Sequence, residues 1–130
     1  MKNSRKKVLV VDDDAEMTHL IEEILAKGGY DVVSTHDGLS AIERTKHERI
    51  DLILMDIRMP FFSGFWFCDA FKNRPQTKSI PIVFVSSLSS DEDVKKAYQM
   101  GGSGYLKKPF RAQELLSAVE KIFAKSPTIL

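Results

Sequence analysis

The sequence predicts a doubly wound α/β domain with five parallel strands and five helices. Short apolar runs alternate with segments whose apolar residues recur at helical spacing, as expected for a parallel sheet covered by helices on both faces. Four of these runs end on polar residues, and they lie at 8–11, 52–55, 82–85 and 104–106. The length of 130 residues suits a single domain over 1–130, with its core at about 7–124 and a tail at 125–130.

The first half of the chain divides into three strands and two helices. The strand at 8–11 is followed by a helix that Asp14 caps and Gly28-Gly29 ends. Helical spacing predicts the apolar face of this helix, which consists of Met17, Leu20, Ile21, Ile24 and Leu25. A second strand is expected at 31–35, a second helix at 37–47 and a third strand at 51–55.

The second half supplies the remaining two strands and three helices. Ser63 is predicted to cap a third helix of about ten residues that Pro75 stops, and Pro81 opens the fourth strand. A short helix at 91–100 should turn Val94, Ala97 and Tyr98 toward the core. Gly101-Gly102 ends it before a short fifth strand. The last helix has a clear apolar face, formed by Ala112, Leu115, Leu116, Val119, Ile122 and Phe123.

The composition argues against several classes of protein. A net charge of +1 gives no reason to expect nucleic-acid binding. The apolar runs are far shorter than the ~20 residues of a membrane-spanning helix, and the basic N-terminus lacks a signal-peptide cleavage pattern. The single cysteine, Cys68, cannot form an internal disulfide and is expected in the core. We therefore expect a cytoplasmic protein that binds neither membranes nor nucleic acid directly.

The carboxyl ends of four predicted strands carry charged or hydroxyl-bearing residues. These residues are Asp12-Asp13-Asp14, Asp56, Ser86-Ser87 and Lys107-Lys108. Ligands of open parallel sheets bind outside the carboxyl ends of the strands, so carboxylates, a hydroxyl and an ammonium are expected at one edge. Such a set suits one anion and one divalent cation.

Three consecutive acids after the first strand indicate a metal site. A helix cap needs only one of them, and the other two would repel each other unless a cation lay between them. Mg²⁺ is the natural candidate, because it takes oxygen ligands from one or two carboxylates together with phosphate oxygens. Asp56 is a candidate nucleophile that would form an acyl phosphate. Lys108 would supply a positive charge and Ser86 a hydrogen bond to the phosphoryl oxygens.

These residues resemble the receiver domain of two-component response regulators, of the kind found in chemotaxis regulators. The matching pieces are Val8-Leu9-Val10-Val11-Asp12-Asp13, Asp51-Leu52-Ile53-Leu54-Met55-Asp56-Ile57-Arg58-Met59-Pro60 with Gly64, Ser86, and Gly104-Tyr105-Leu106-Lys107-Lys108-Pro109-Phe110. Their order and spacing agree with the family over nearly the whole chain. The resemblance implies a flavodoxin-like strand order, 2-1-3-4-5.

The resemblance also implies a role for each residue of the site. Asp56 would be the phosphoacceptor, Ser86 the switch hydroxyl and Lys108 the phosphate contact. Asp12, Asp13 and Asp56, with the backbone carbonyl of Arg58, would bind Mg²⁺. Tyr105 would be the aromatic residue that changes rotamer with the phosphoryl group, and the Lys108–Pro109 bond would be cis.

The function implied by the family is that of a phosphorelay receiver. A sensor histidine kinase or a phosphotransfer protein would donate the phosphoryl group from a phosphohistidine, and the altered contacts would act on a downstream target or output domain. The chain would not be an enzyme, although it would assist its own phosphorylation and dephosphorylation. It would be either a stand-alone receiver or one domain of a longer regulator or hybrid kinase.

The segment 61–71 departs from the family pattern, because it contains six of the twelve aromatic residues of the chain. A helix cannot bury three consecutive side chains on one face, so at least one of Phe65, Trp66 and Phe67 should be partly exposed. Either these rings cover the core and one another, or they form a contact surface for a partner or a second copy. A homodimer is therefore among the partners to consider.

Two alternative interpretations use the same residues. An aspartate-nucleophile phosphatase of the haloacid dehalogenase type would use Asp12 as its nucleophile. Such enzymes usually need an acidic pair after the lysine, and only Glu114 and Glu120 follow Lys108 here. A receiver-like adaptor that works without phosphorylation would not need every site residue, and all of them are present.

Overall fold

The computed structural model describes residues 5–125, which form one parallel sheet with helices on both faces. The elements are β1 Lys7–Val11, α1 Ala15–Lys27, β2 Asp31–Thr35, α2 Gly38–Thr45, β3 Leu52–Met55, α3 Gly64–Lys72, β4 Ile82–Ser86, α4 Asp91–Gln99, β5 Gly104–Lys107 and α5 Ala112–Ala124. The strand order is β2-β1-β3-β4-β5, and every pairing is parallel. The predicted fold class and strand order are confirmed. Most of the expected tail lies outside the described residues.

The sheet separates two apolar clusters. Along β1, Leu9 and Val11 join the cluster under α2, α3 and α4, whereas Val8 and Val10 join the cluster under α1 and α5. A strand covered by helices on both faces is buried at every position, which is why the central strands are continuous apolar runs. Within residues 5–125, no helix is both long and apolar enough to cross a membrane.

Polar side chains set the ends of the helices. Asp14 caps α1 by accepting hydrogen bonds from the backbone N–H groups of residues 16 and 17, and Asp37 and Ser63 cap α2 and α3. The helix α3 has nine residues and ends at Lys72, shortly before Pro75, which agrees with the prediction that this proline stops it. At this end, the Asn73 side-chain amide donates to the backbone carbonyl of residue 69 at 2.8 Å, and the Thr77 hydroxyl donates to the backbone carbonyl of residue 71 at 2.7 Å. These bonds add to the backbone hydrogen bonds that the same two carbonyls accept at the end of the helix.

Two residues predicted to lie on apolar helix faces are exposed instead. Tyr98 in α4 is 50% exposed and Leu20 in α1 is also exposed, whereas their neighbours Ala97 and Ile21 are buried. Successive residues of an α-helix point about 100° apart. When Ala97 and Ile21 face the sheet, the adjacent side chains therefore point along the edge of the contact.

The cysteine lies in the core, as predicted. Cys68 is fully buried in α3, and its thiol lies 3.4 Å from the backbone carbonyl oxygen of Met100. Burial raises the pKa of this thiol to about 11.

Candidate functional site

The backbone brings the predicted site residues to one edge of the sheet. The Asp56 N–H donates to the carbonyl of Val11 at 2.9 Å, so Asp56 lies beside the last residue of β1. The Lys108 N–H donates to the carbonyl of Ser86 at 2.8 Å across the ends of β4 and β5. Together with the parallel pairing of Met55 with Phe84 between β3 and β4, these bonds fix four neighbouring strand ends relative to one another, and therefore fix the side chains that leave them.

Three carboxylates meet at this edge. Oxygen atoms of Asp12, Asp13 and Asp56 all lie within 4.8 Å of one another. Asp12 is 2% exposed and Asp56 is 7% exposed, whereas Asp13 is open to solvent. The two buried carboxylates are oriented by backbone donors. The Asp14 N–H binds Asp12 Oδ1 at 2.9 Å, and the Ile57 N–H binds Asp56 Oδ1 at 2.8 Å.

One ammonium group faces the acids. Lys108 Nζ lies 2.7 Å from Asp12 Oδ2 and 3.8 Å from Asp56 Oδ1. Burial raises the pKa of Asp56 to about 6, and repulsion from Asp12 adds to this effect, whereas Lys108 opposes it. The positive charge of Lys108 alone therefore does not balance the negative charges of the three carboxylates. A hard divalent cation such as Mg²⁺ takes oxygen ligands and is favoured by excess negative charge. The three carboxylates supply both, and two of them are buried and oriented, so the residues fit that ion.

Ser86 and Tyr105 are joined through the backbone of Leu88. The fully buried Ser86 hydroxyl accepts a hydrogen bond from the Leu88 N–H at 3.2 Å, and the Tyr105 hydroxyl donates to the Leu88 carbonyl at 2.5 Å. Burial raises the pKa of Tyr105. The sequence indicated Ser86 and Tyr105 but not the connection, because Leu88 contributes only backbone atoms to it.

Gly64 closes the loop that follows Asp56. Its N–H donates to the carbonyl of Ile57 at 2.8 Å. A Cβ atom at this position would lie 2.0 Å from the Asp56 backbone oxygen, far inside van der Waals contact. Glycine is therefore required here by the close approach of two backbone segments. The sequence indicated Gly64 only through the family resemblance.

The other predicted features are also found in the structure. The Lys108–Pro109 bond is cis. Phe65 and Phe67 are buried and Trp66 is exposed, so the expectation for these three aromatic residues is confirmed. The Arg58 side chain is exposed, two residues after Asp56.

Comparisons with known proteins agree with this geometry. Residues 8–120 match the family model of the response regulator receiver domain. The chain is 35% identical over 120 residues to the transcriptional regulatory protein CpxR of Escherichia coli K12, covering 92% of this chain and 50% of the relative. It is also 35% identical over 114 residues to protein PilG of Pseudomonas aeruginosa, covering 88% of this chain and 84% of the relative. The chain thus spans about half the length of the transcriptional regulators it matches.

Solved structures show the same likeness. The chemotaxis protein CheY4 of Vibrio cholerae superposes with a TM-score of 0.87 at 31% identity, covering 92% of this chain and 99% of the other. The receiver domain of the sensor histidine kinase PA1611 of Pseudomonas aeruginosa, which has a magnesium ion coordinated in its active-site cleft, superposes with a TM-score of 0.85 at 27% identity. That likeness covers 94% of this chain and all of the other. Fold, site and family match lead to one conclusion, that the chain belongs to the receiver domains of two-component response regulators.

Proposed function

We propose that Asp56 accepts a phosphoryl group from a phosphohistidine on a sensor histidine kinase or a phosphotransfer protein. A carboxylate oxygen of Asp56 would attack phosphorus, the P–N bond to the imidazole would break, and the imidazole nitrogen would keep the bonding electrons. The product is an acyl phosphate on Asp56. The observation that carries this proposal is the buried Asp56 carboxylate between two further acids and one lysine ammonium.

Asp12, Asp13 and Asp56, with the backbone carbonyl of Arg58, are the groups that we propose hold Mg²⁺. When bound, the ion supplies positive charge that offsets the repulsion between the acids and an incoming phosphoryl group. Lys108 has a separate task. Its Nζ atom is 3.8 Å from Asp56 Oδ1, which supports a direct ion pair with a phosphoryl oxygen on that residue.

Ser86 and Tyr105 respond to phosphorylation of Asp56. A phosphoryl oxygen on Asp56 is a stronger hydrogen-bond acceptor than any neutral group, so the Ser86 hydroxyl would turn to donate to it. Movement of Ser86 Oγ toward the phosphoryl group would lengthen its hydrogen bond from the Leu88 N–H, and the Leu88 carbonyl would move relative to the Tyr105 hydroxyl. The local charge change would thereby bias the packing of α4, β5 and α5, and a downstream target or output domain would respond to that face.

The proposal makes the chain a phosphoacceptor and not an enzyme with a separate substrate. Its site would assist both phosphorylation and the loss of the phosphoryl group. We place it in the cytoplasm, where histidine kinase domains act, and its contacts would be with proteins and not with membranes or nucleic acid. The family assignment argues against the phosphatase alternative, in which Asp12 would be the nucleophile.

Phosphorylation by acetyl phosphate tests the proposal. Intact mass measurement should show one added phosphoryl group with Mg²⁺ present and none with a chelator. Peptide mapping should place the group on Asp56, and Asp56→Asn should abolish it. Glu120→Gln, which removes an exposed acid of α5, is the control and should leave labelling unchanged.

Two outcomes would contradict the assignment. Modification of Asp12 would favour the phosphatase chemistry. Absence of any Mg²⁺-dependent labelling, by acetyl phosphate and by phosphorylated kinases alike, would favour an adaptor that works without phosphorylation.

A further inference from the structure

The exposed apolar surface of the protein is concentrated beside the phosphoacceptor loop. Of six large hydrophobic side chains exposed within residues 5–125, three belong to one short segment, namely Phe61, Phe62 and Trp66. We call these three the aromatic patch. Phe62 stacks on Trp66 with ring centroids 4.6 Å apart, and the buried Phe67 ring meets both at steep angles. The Phe62–Trp66 stack is therefore supported from beneath by the core.

Phe61 is held away from this support by its backbone. Its φ angle is +72°, in the left-handed region that bulky residues avoid, and its side chain is 100% exposed. The Phe62 N–H donates to the Pro60 carbonyl at 2.8 Å, which closes a three-residue γ-turn around Phe61. No packing of the ring compensates for this conformation. Backbone strain of this kind is concentrated at functional sites and ligand clamps.

The aromatic patch has the size of an interface core. Its rings are 100%, 45% and 48% exposed, and fully buried aromatic side chains cover about 150–250 Å² each, so the patch offers roughly 400 Å² of apolar surface. A standard protein interface removes about 800 Å² per partner, of which about 57%, or about 450 Å², is apolar. The patch alone therefore matches the apolar area that one partner needs.

Charges beside the aromatic patch indicate what covers it. Arg58 lies in the loop before the patch, and Asp69 lies on α3 three residues after Trp66, on the same helix face. Both side chains are exposed, and in the part of the chain from 5 to 125 neither belongs to an ion pair. In a two-fold arrangement in which Arg58 of one copy meets Asp69 of the other, the same ion pair forms twice. A net charge of +1 adds little repulsion between two copies.

We propose that the aromatic patch binds a second copy of this chain in a two-fold symmetric dimer. The Phe61 ring of each copy packs against the Phe62–Trp66 stack of the other. Arg58 and Asp69 form the polar rim of the interface. Their ion pairs set the two copies in an antiparallel orientation, with Arg58 of each copy beside Asp69 of the other. The same surface is thus used by both copies, as a two-fold interface requires.

Phe61→Asn is the variant that separates binding from folding. Asparagine tolerates the left-handed conformation, and no packing is lost because the Phe61 ring is fully exposed. Sedimentation equilibrium and the fluorescence of Trp66, the single tryptophan, should both report a concentration-dependent dimer in the wild type. We expect Phe61→Asn to weaken dimerisation by about 100-fold, which is about 2.8 kcal/mol, because two rings are lost per dimer.

A charge exchange tests the orientation. Arg58→Glu should weaken the dimer several-fold, because it brings two acids together at each end of the interface. The double variant Arg58→Glu, Asp69→Arg should restore it. Tyr98→Asn is the control, since Tyr98 is an aromatic residue on α4, away from the patch, and is about as exposed as Phe62 and Trp66. It should leave the dissociation constant unchanged.

The measurements are made with and without Mg²⁺ and beryllofluoride. A wild type that stays monomeric at millimolar concentration in both states would overturn the proposal. So would a dimer that Tyr98→Asn abolishes while Phe61→Asn leaves it intact. Failure of the double variant to recover would refute the antiparallel orientation.

Discussion

Asp56→Asn should stabilise the metal-free protein at neutral pH. The pKa of Asp56 is raised from 3.8 to about 6, first by burial and then by repulsion from Asp12. Asparagine removes this charge, and its amide oxygen still accepts the hydrogen bond from the Ile57 N–H. The substitution therefore removes an electrostatic cost and keeps the shape of the site.

The size of the effect follows from the pKa difference. Two pKa units correspond to about 3 kcal/mol, and the buried amide of asparagine offsets part of this, so we expect a gain of about 2–3 kcal/mol. The folded state binds its proton more tightly than the unfolded state. The wild type is therefore most stable below pH 4 with respect to this group, loses stability as the pH rises to about 6, and then levels off. The stability gain of the variant over the wild type should therefore be small at pH 4, grow as the pH rises to about 6, and then level off.

Urea unfolding in the presence of a chelator measures this difference from pH 4 to pH 8. Glu120→Gln, at an exposed acid of α5, should change stability by less than about 0.5 kcal/mol at every pH. Added Mg²⁺ should stabilise the wild type more than Asp56→Asn, since the variant lacks one proposed ligand. An Asp56→Asn protein no more stable than the wild type at pH 7.5, or a gain that does not change with pH, would refute the reasoning.

Three further predictions concern the rest of the fold. Gly64→Ala should lower the free energy of urea unfolding by more than about 3 kcal/mol, because the added Cβ would lie 2.0 Å from a backbone oxygen. Gly29→Ala should lower it by about 1 kcal/mol, because there is open space around Gly29 and only its φ of +95° is unfavourable. Cys68 should not react with a thiol reagent at pH 8 until the protein unfolds, because its buried thiol has a pKa of about 11. Phe61→Asn should raise the stability of the monomer by up to about 1 kcal/mol in thermal unfolding, measured well below the dimer dissociation constant, because it relieves backbone strain; a loss of stability there would show that the Phe61 ring has packing within its own chain.

The site was predictable because its residues end strands. Asp12, Asp56, Ser86 and Lys108 each follow an apolar run, and parallel topology brings the carboxyl ends of neighbouring strands to one edge. Residues that lie as far apart as positions 12 and 108 are therefore expected together from the sequence. The elements themselves were also predictable, including the end of α3 at Lys72 shortly before Pro75.

The details of the site were not predictable in the same way. That Lys108 lies closer to Asp12 than to Asp56 depends on the path of its flexible side chain across the sheet edge. The link between Ser86 and Tyr105 through Leu88 uses backbone atoms, which leave no trace in residue types. The clash that requires Gly64 depends on how closely two loop segments approach.

The amino-acid sequence by itself determined the parallel sheet, the chemistry at its edge and the excess of aromatic residues in segment 61–71. These features depend on periodicity, turn residues and residue types. All three are local properties of the chain, so they can be interpreted without a three-dimensional structure. Only the tertiary structure decided that Phe65 and Phe67 enter the core while Phe61 and Trp66 face solvent. Exposure depends on what packs against each face, and neighbours distant in sequence provide that packing. For the same reason, the pKa of Asp56 is a property of its burial and of the charges that the fold gathers around it.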